Sequence, residues 1–232
     1  MNPSPHIEVR RLTKRYPSGG SSITVLNEVD LSINRGDSVA IVGPSGSGKS
    51  TLLALIAGLE RPTSGEVYLD GRRITDLSED ELAILRRRSI GFVFQSFQLL
   101  SNLTARENVL LPLELAGCTH RESRVDALLS EVGLQERGHH YPSQLSGGEQ
   151  QRVAVARAFA TSPPILLADE PTGNLDSATG SLILEMMRHL RVEIGSTLVL
   201  VTHDPEVAKI TDRVVRLQDG RVTSDAAGGT QV

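Results

Sequence analysis

The sequence has one cysteine, Cys118, among its 232 residues. One cysteine forms no internal disulfide, and with scattered histidines it builds no zinc-binding pattern, so disulfide-stapled and zinc-held scaffolds are excluded. Basic charge is also scarce, because 24 Lys and Arg stand against 28 Asp and Glu, a formal net charge of −4. This balance argues against a nucleic-acid-binding surface, so we expect no nucleic-acid partner.

Long hydrophobic runs are missing as well. The longest apolar run, Leu52–Leu59, has eight residues, far short of the roughly 20 that span a bilayer. Residues Met1–Arg11 lack the apolar core of a signal peptide. We therefore expect a soluble, cytoplasmic chain with no membrane span of its own, and the lack of cysteine pairs is compatible with that reducing compartment.

Short apolar runs alternate with longer helical patterns along the chain. Val39–Val42, Ile165–Ala168 and Thr197–Val201 are apolar or β-branched throughout, which is typical of strands covered on both faces. Lys49–Leu59 follows the first of these runs and has a helical composition. The pattern predicts an α/β fold with a mostly parallel central sheet.

Two other regions depart from this alternation. The N-terminal part up to Ile33, together with Glu66–Gly71, predicts an antiparallel β subdomain with turns at Gly19–Gly20 and Asp70–Gly71. The middle, Ala105–Ala160, is mostly helical, with apolar residues at i, i+3, i+4 and i+7: Val125, Leu128, Leu129 and Val132. We expect one domain over 1–232, with the core at roughly 1–95 and 161–223, an inserted helical subdomain at roughly 96–160 and a flexible tail at 224–232.

The run Gly43–Ser50 matches the phosphate-loop pattern Gly-x-x-x-x-Gly-Lys-Ser/Thr, placed after a predicted strand and before a predicted helix. Its glycines let the backbone wrap a phosphate chain with N–H groups pointing inward, and the helix start adds partial positive charge. Lys49 should reach the β- and γ-phosphates, and the Ser50 hydroxyl should bind Mg²⁺. The nucleotide-binding residues would be Gly43, Pro44, Ser45, Gly46, Ser47, Gly48, Lys49, Ser50 and Thr51.

A phosphate loop alone does not distinguish ATPases, GTPases and small-molecule kinases. The guanine-specific motif Asn-Lys-x-Asp is absent, because no Asn in the chain is followed by Lys. The acid that completes a magnesium site is expected at the end of a later buried strand, where Asp169 and Glu170 follow Ile165–Ala168. Asp169 would hold Mg²⁺ directly or through water, and Glu170 would polarise the attacking water as general base.

A second glycine-rich helix start lies about a hundred residues after the phosphate loop. Leu145–Gln150 reads Leu-Ser-Gly-Gly-Glu-Gln and opens a predicted helix, again an anion-binding N-terminus. With these motifs the sequence resembles the ATP-binding cassette (ABC) ATPases through nearly its whole length. The resemblance implies ATP as the nucleotide on a P-loop NTPase core, and a homodimer paired head to tail with two composite sites. The residues that would contact the partner's ATP are Ser146, Gly147, Gly148 and Glu149.

The remaining functional positions of the family are also matched. Gln95 corresponds to the loop glutamine that senses Mg²⁺ and the γ-phosphate, and it joins Ser50 and Asp169 as an implied metal ligand. Asp176 is implied at the dimer interface, and Tyr16 in stacking on adenine. His203 corresponds to the switch histidine that contacts the γ-phosphate. The implied catalytic residues are Glu170, His203, Lys49 and Gln95.

Three longer runs, Gly91–Phe97, Glu107–Val109 and Ala168–Asp176, resemble a bacterial group that serves lipoprotein release, macrolide and peptide export, and cell-division control. The resemblance implies an ATP-hydrolysing subunit that drives a separate membrane permease, for export of a lipoprotein, lipid, peptide or drug, or for mechanotransmission. It would sit peripherally at the cytoplasmic face of the inner membrane. An apolar stretch after Gln95 is either a permease contact or part of the helical core: Phe97, Leu99, Leu100 and Leu103.

Two other functions stay open at this point. A nontransport ABC ATPase would act on DNA or ribosomes, but such proteins usually carry coiled-coil insertions, zinc sites or two cassettes in one chain, which this sequence lacks. A nucleotide-dependent scaffold would hold a membrane complex together with little turnover. Glu170 and His203 argue for hydrolysis, and a phosphate-release assay distinguishes a hydrolysing subunit from a scaffold.

Overall fold

The computed structural model describes residues 4–208 and 211–227. The strands, in chain order, are β1 (Ile7–Ser18), β2 (Ser21–Ile33), β3 (Ser38–Val42), β4 (Ser64–Leu69), β5 (Arg72–Arg73), β6 (Ile90–Phe94), β7 (Ile165–Asp169), β8 (Thr197–Thr202), β9 (Arg213–Gln218) and β10 (Arg221–Ala227). The helices are α1 (Lys49–Ile56), α2 (Glu79–Ser89), α3 (Ala105–Leu115), α4 (Arg121–Glu131), α5 (Gly147–Phe159), α6 (Ser177–Ile194) and α7 (Pro205–Ala208), with short 3₁₀ turns at Gln135–Arg137 and Pro142–Gln144.

The chain divides into two compact units. The first contains the described residues up to Arg86 and from Thr197 onward, and the second contains Arg87–Ser196. These limits differ from the predicted subdomain boundaries at 96 and 160. The difference arises because β6 and β7 pair with each other, so strands that the sequence pattern assigned to the core belong to the same compact unit as α3, α4 and α5.

An antiparallel sheet in the first unit follows the predicted N-terminal pattern. Its strand order is β2-β1-β4-β5, and β1 pairs antiparallel with both β2 and β4. Asp70 and Gly71 have φ of 50° and 73°, and two successive positive φ values make the tight turn that suits the twist of the flanking strands. The turns predicted at Gly19–Gly20 and Asp70–Gly71 are therefore present.

The first unit also contains parallel strands that carry the candidate phosphate loop. β3 lies between β8 and β9 and is parallel to both, and β10 pairs antiparallel with β9. Every residue of β8 is buried, as is expected for a strand with no solvated face. The apolar runs therefore form buried strands, as the sequence predicted.

The second unit combines a parallel strand pair with helices. β6 and β7 are parallel, and α3, α4 and α5 lie between them in the sequence. Four side chains were predicted to share one face of a helix, and all are buried: Val125, Leu128, Leu129 and Val132. The first three lie on α4, and Val132 directly follows it.

The predicted flexible tail at 224–232 is wrong over its first four residues. β10 continues to Ala227. Its residues Ser224–Ala227 pair antiparallel with β9, from Ser224 opposite Arg216 to Ala227 opposite Arg213. Asp225 also forms an ion pair with Arg213. Small polar residues have weak strand propensity, so the pattern did not indicate a strand that cross-strand pairing stabilises. Residues 228–232 lie outside the described residues.

Candidate functional site

The candidate phosphate loop leaves the carboxyl end of β3 and enters α1. A Cβ at Gly43 would overlap the carbonyl oxygen of Leu217. Gly46 and Gly48 have φ of 78° and 99°, backbone conformations that residues other than glycine rarely adopt. In addition, a Cβ at Gly48 would lie 2.7 Å from the Val25 carbonyl oxygen. The glycines at these positions are therefore required by the path of the loop as well as by the predicted phosphate contact.

Lys49 begins α1 and is only 7% exposed. Its ammonium group donates hydrogen bonds to the carbonyl oxygens of Gly43 at 2.9 Å and Pro44 at 3.0 Å, which places the charge inside the loop. The N-cap residue Gly48 supplies no side-chain hydrogen bond, and the first turn of α1 contains no acidic residue. The backbone N–H groups and the positive end of this helix therefore face the same loop as the ammonium.

Tyr16 lies on β1 beside the start of α1. Its hydroxyl donates a 2.5 Å hydrogen bond to Glu60 and also contacts the Thr51 hydroxyl, and burial together with the Glu60 carboxylate raises the pKa of Tyr16. The Lys14 ammonium lies 4.8 Å from the centre of its ring. A stacked base would therefore use the opposite face of the ring. The sequence reasoning missed Glu60 as the residue that anchors this ring, and no motif signals it.

His203 follows β8 directly and is exposed. The register of the parallel pair sets Val42 of β3 opposite Thr202 of β8, so the phosphate loop and His203 leave the strands at the same edge. The turn is shaped by the Asp204 backbone N–H, which donates to the Thr202 hydroxyl at 3.0 Å. Within the first unit, the structure thus brings two of the predicted phosphate-binding elements to one side of the sheet.

Gln95 and the acidic pair Asp169–Glu170 meet in the same way in the second unit. Phe94 pairs with Asp169 in the parallel register of β6 and β7. Asn174 then bridges the two loops, because its amide donates to the Gln95 carbonyl at 3.0 Å and its side-chain oxygen accepts from the Gln95 side-chain amide at 3.4 Å. Asn174 lies in a run that matched the family, but the sequence assigned it no role.

Glu170 has a left-handed backbone, with φ of 47°. This conformation is uncommon for residues other than glycine and costs about 1–3 kcal/mol. The turn is closed by the backbone N–H of Gly173, which donates to the Glu170 carbonyl at 3.0 Å. A Cβ at position 173 would lie 2.8 Å from the Gln95 side-chain nitrogen, so a larger residue there would require the Gln95 side chain to move.

The signature residues open α5 through a capping box. The Ser146 hydroxyl donates to the Glu149 carboxylate at 2.9 Å and accepts from the Glu149 backbone N–H. Hydrogen bonds from the backbone and hydroxyl of Ser146 lower the pKa of Glu149. Gly148 lies in the first turn, and a Cβ there would sit 2.7 Å from Cγ2 of Thr179.

Asp176 caps the next helix, α6. Its carboxylate accepts hydrogen bonds from the backbone N–H groups of Ala178 and Thr179 and from the Thr179 hydroxyl at 2.7 Å. These bonds, chiefly those from Thr179, lower the pKa of Asp176. The structure therefore assigns Asp176 a helix-capping role in addition to the interface position that the sequence predicts.

A family model described as ABC transporter matches residues 26–173, which include the phosphate loop, the signature and the acidic pair. The chain belongs to the ABC transporter ATPase family. The resemblance inferred from the motifs is thereby confirmed. The similarity to a solved ABC structure confirms the P-loop NTPase fold, its mostly parallel central sheet, its N-terminal antiparallel β subdomain and its helices.

Curated ABC relatives match most of the chain. It is 50% identical over 223 residues to the uncharacterized ABC transporter ATP-binding protein MJ0796 of Methanocaldococcus jannaschii, covering 93% of this chain and 94% of that protein. It is 47% identical over 221 residues to the macrolide export ATP-binding/permease protein MacB of Vibrio parahaemolyticus, covering 94% of this chain. The matched region spans about a third, 34%, of the length of MacB.

A solved ABC structure superposes on the chain with a TM-score of 0.90 at 46% identity, covering 97% of this chain and 100% of the other. It is described as the dimeric post-hydrolysis state of the ATP-binding cassette MJ0796 bound to ADP and Pi. The chain is thus an ATP-binding ABC ATPase domain. Among the residues that the structure describes, no helix is long and apolar enough to cross a membrane.

Proposed function

We propose that the chain is the ATP-hydrolysing subunit of a bacterial ABC transporter or mechanotransmission complex, and that it pairs head to tail on ATP and drives a separate permease. The observation that carries this proposal is the phosphate loop, in which the buried Lys49 ammonium, the positive end of α1 and left-handed glycines converge. A buried cation beside an uncapped helix start is suited to a strongly anionic ligand.

ATP would bind through its phosphates and its base. The backbone N–H groups of Gly43–Thr51 and the Lys49 ammonium would hold the phosphates. Tyr16 would stack on adenine, and its contact with Thr51 supports this role because it keeps the ring next to the loop.

The residues assigned to Mg²⁺ have suitable donor atoms. Ser50, Gln95 and Asp169 would offer hydroxyl, amide and carboxylate oxygens, the ligand type that Mg²⁺ prefers. The side-chain nitrogen of Gln95 faces Asn174. The side-chain oxygen of Gln95, Oε1, is therefore the atom that would bind a cation. When bound, the ion supplies charge neutralisation at the phosphate oxygens.

Hydrolysis would then depend on three side chains. Glu170 would orient and polarise the attacking water, while Lys49 and His203 would stabilise the charge that develops on the γ-phosphate. Gln95 would contact the metal and the γ-phosphate, so the position of its loop would depend on whether both are bound. Dimer closure would exclude water from the reacting groups, so hydrolysis would depend on pairing.

The partner's ATP would be capped by Ser146, Gly147, Gly148 and Glu149 at the start of α5, with Asp176 at the dimer interface. One chain contains two glycine-rich helix starts, α1 and α5, and a single nucleotide does not need both. The dimeric arrangement described for MJ0796 supports a head-to-tail homodimer in this chain.

The permease partner is supported by the name of MacB, an ATP-binding/permease protein for macrolide export. We propose that this chain serves export of a drug, lipoprotein, lipid or peptide, and that it lies at the cytoplasmic face of the inner membrane through its permease. Leu100, in the apolar stretch after Gln95, is 44% exposed, which supports its assignment to the permease contact rather than to the core.

The variant Glu170→Gln tests the hydrolytic role. We expect ATP binding to persist, phosphate release to fall by roughly 100-fold or more, and a dimer to accumulate with ATP and Mg²⁺ in size-exclusion chromatography. Glu131→Gln, an exposed change at the end of α4, is the matched control and should hydrolyse ATP normally. Elution as a monomer under these conditions would contradict the proposal. Phosphate release that Glu170→Gln leaves unchanged would favour the scaffold function.

A further inference from the structure

α5 begins at the signature residues and carries a buried amide into the second unit. Gln151 is 0% exposed, whereas the other buried positions of this helix are apolar. Burying an amide costs free energy unless its polar atoms form hydrogen bonds. Its presence on this face therefore has to be explained by the groups that it contacts.

Gln151 donates from its side-chain nitrogen to two backbone carbonyl oxygens. The hydrogen bond to Pro171 is 2.5 Å long, and the longer contact to Phe94 is 3.5 Å. Pro171 directly follows Glu170, and Phe94 directly precedes Gln95. One amide group thus connects α5 to both loops of this unit that carry predicted catalytic side chains.

Both loops are conformationally strained. Glu170 has φ of 47°, and Phe97 and Gln98, which follow Gln95, have φ of 61° and 49°. Such conformations persist only where surrounding contacts hold them. α5 supplies further contacts of this kind, because the Arg157 guanidinium donates to the carbonyl oxygens of Phe97 at 2.8 Å and Gln98 at 2.6 Å.

The side-chain oxygen of Gln151 provides a second reason to look for a role beyond packing. It is buried and accepts no hydrogen bond from the part of the chain that the structure describes. An apolar side chain of the same length would avoid this penalty. The donor nitrogen, aimed at the Pro171 carbonyl, is therefore the part of the residue that accounts for its presence.

We propose that Gln151 is a positioning residue for ATP hydrolysis: it ties the signature helix to the carbonyl of Pro171 and thereby holds the strained Glu170 in its working orientation. This inference rests on the proposed function, in which Glu170 orients the attacking water. Gln151 touches no reacting atom and acts chiefly through Glu170, because its shorter hydrogen bond is the one to Pro171. Its loss should slow the chemical step and leave nucleotide binding by the phosphate loop intact.

Two substitutions in the full chain test this role. Gln151→Met keeps the length of the side chain and removes the donor, and we expect kcat to fall about tenfold or more while KM for ATP stays within about threefold. Gln151→Glu keeps the shape and regains a donor only when its carboxyl is protonated. Because burial raises the pKa of such a carboxyl, its kcat relative to wild type should rise as the pH falls from 8.5 to 6.

Asn108→Leu is the matched control for stability. Asn108 is another fully buried amide of the second unit, and it donates to the carbonyl oxygens of Leu100, Leu103 and Thr104. Its loss should lower the melting temperature without a comparable loss of kcat. A kcat for Gln151→Met that equals wild type, or that falls only as far as that of Asn108→Leu, would overturn the proposal. A pH profile of Gln151→Glu parallel to that of Gln151→Met would do the same.

Glu170→Gln separates this inference from the function beneath it. If Glu170→Gln abolishes phosphate release and Gln151→Met retains wild-type kcat, the positioning role fails and the proposed function stands. If Glu170→Gln hydrolyses ATP at the wild-type rate, both fail. Loss of kcat in both variants, with ATP still bound and the pH-dependent recovery of Gln151→Glu, is the result that we expect.

Discussion

Lys49 and His6 are buried in the first unit for different reasons. The Lys49 side-chain nitrogen donates to two loop carbonyls, at the place where the sequence predicts phosphate. His6 is also buried, and its Nδ1 lies 2.6 Å from the Thr197 hydroxyl. That hydroxyl also accepts a hydrogen bond from the backbone N–H of Gly36 at 2.8 Å. His6 connects the start of β1 to the first residue of β8.

His6 makes the stability of the protein depend on pH. Burial lowers its pKa below 6.5, the nearby Arg35 adds to this effect, and the Asp70 carboxylate, 3.5 Å away, opposes it. The unfolded chain therefore takes up a proton near pH 6.5 before the folded chain does. We expect the contribution of His6 to the free energy of unfolding to be complete above pH 6.5 and to be lost as the pH falls toward its folded pKa.

Urea unfolding at pH 7.5 and pH 5.5 checks this prediction. Wild type should lose more stability between these values than His6→Asn, which has no group that titrates in the range. Equal losses in the two proteins would show that His6 does not contribute to the pH dependence.

At the scale of elements, α5 and α6 meet at their first turns. Gly148 of α5 faces Thr179 of α6, and Thr179 in turn donates to the capping residue Asp176. The signature helix α5 thus contacts the start of α6, which Asp176 caps, and this contact leaves no room for a Cβ at Gly148. Gly147 differs, because a Cβ there would meet Phe97 at 3.7 Å, an ordinary contact distance.

Gly148→Ala should therefore destabilise the second unit by about 1–3 kcal/mol through overpacking. Gly147→Ala should leave the melting temperature unchanged or raise it, since alanine favours a helix by up to about 1 kcal/mol over glycine. The double variant Gly148→Ala with Thr179→Ser removes Cγ2 and keeps the hydroxyl, and it should recover most of the loss. Thermal unfolding of the four proteins measures this. A double variant no more stable than Gly148→Ala would show that Thr179 is not the source of the strain.

At the scale of the whole molecule, the described residues contain no membrane-spanning helix, while MacB is an ATP-binding/permease protein. We propose that the permease, which docks on this chain, makes the contact with the membrane. Leu100 follows the Gln95 loop, and its backbone N–H is held by the Asn108 side chain at 2.8 Å. It therefore presents a partly exposed apolar side chain at a defined position.

Cysteine cross-linking to the permease tests this contact. In a background with Cys118→Ser, Leu100→Cys should cross-link to the permease in membranes, with a yield that changes when ATP is added. Val192→Cys is the control, because Val192 is 64% exposed on α6 and lies outside the proposed contact. Similar yields at the two positions, or none at either, would remove Leu100 from the interface.

The sequence by itself determined the family and the order of the elements. Lys49, Ser146 and Glu170 belong to local motifs that identify the family, and the apolar runs of β3 and β7 indicate strands because each has no polar face. The same local patterns predicted the turns at Gly19–Gly20 and Asp70–Gly71. These features depend on neighbours within a few positions, which a pattern records directly.

Only the tertiary structure decided which distant groups meet. Gln151 and Pro171 are 20 positions apart, Tyr16 and Glu60 are 44 apart, and Gln95 and Asn174 are 79 apart. The same holds for Ser224–Ala227, whose weak strand propensity is outweighed by pairing with β9. Hydrogen bonds of this kind leave no local pattern, because each partner is an ordinary polar side chain or backbone carbonyl until the fold brings the two together. At Gln151, which is fully buried, burial also makes the bond necessary.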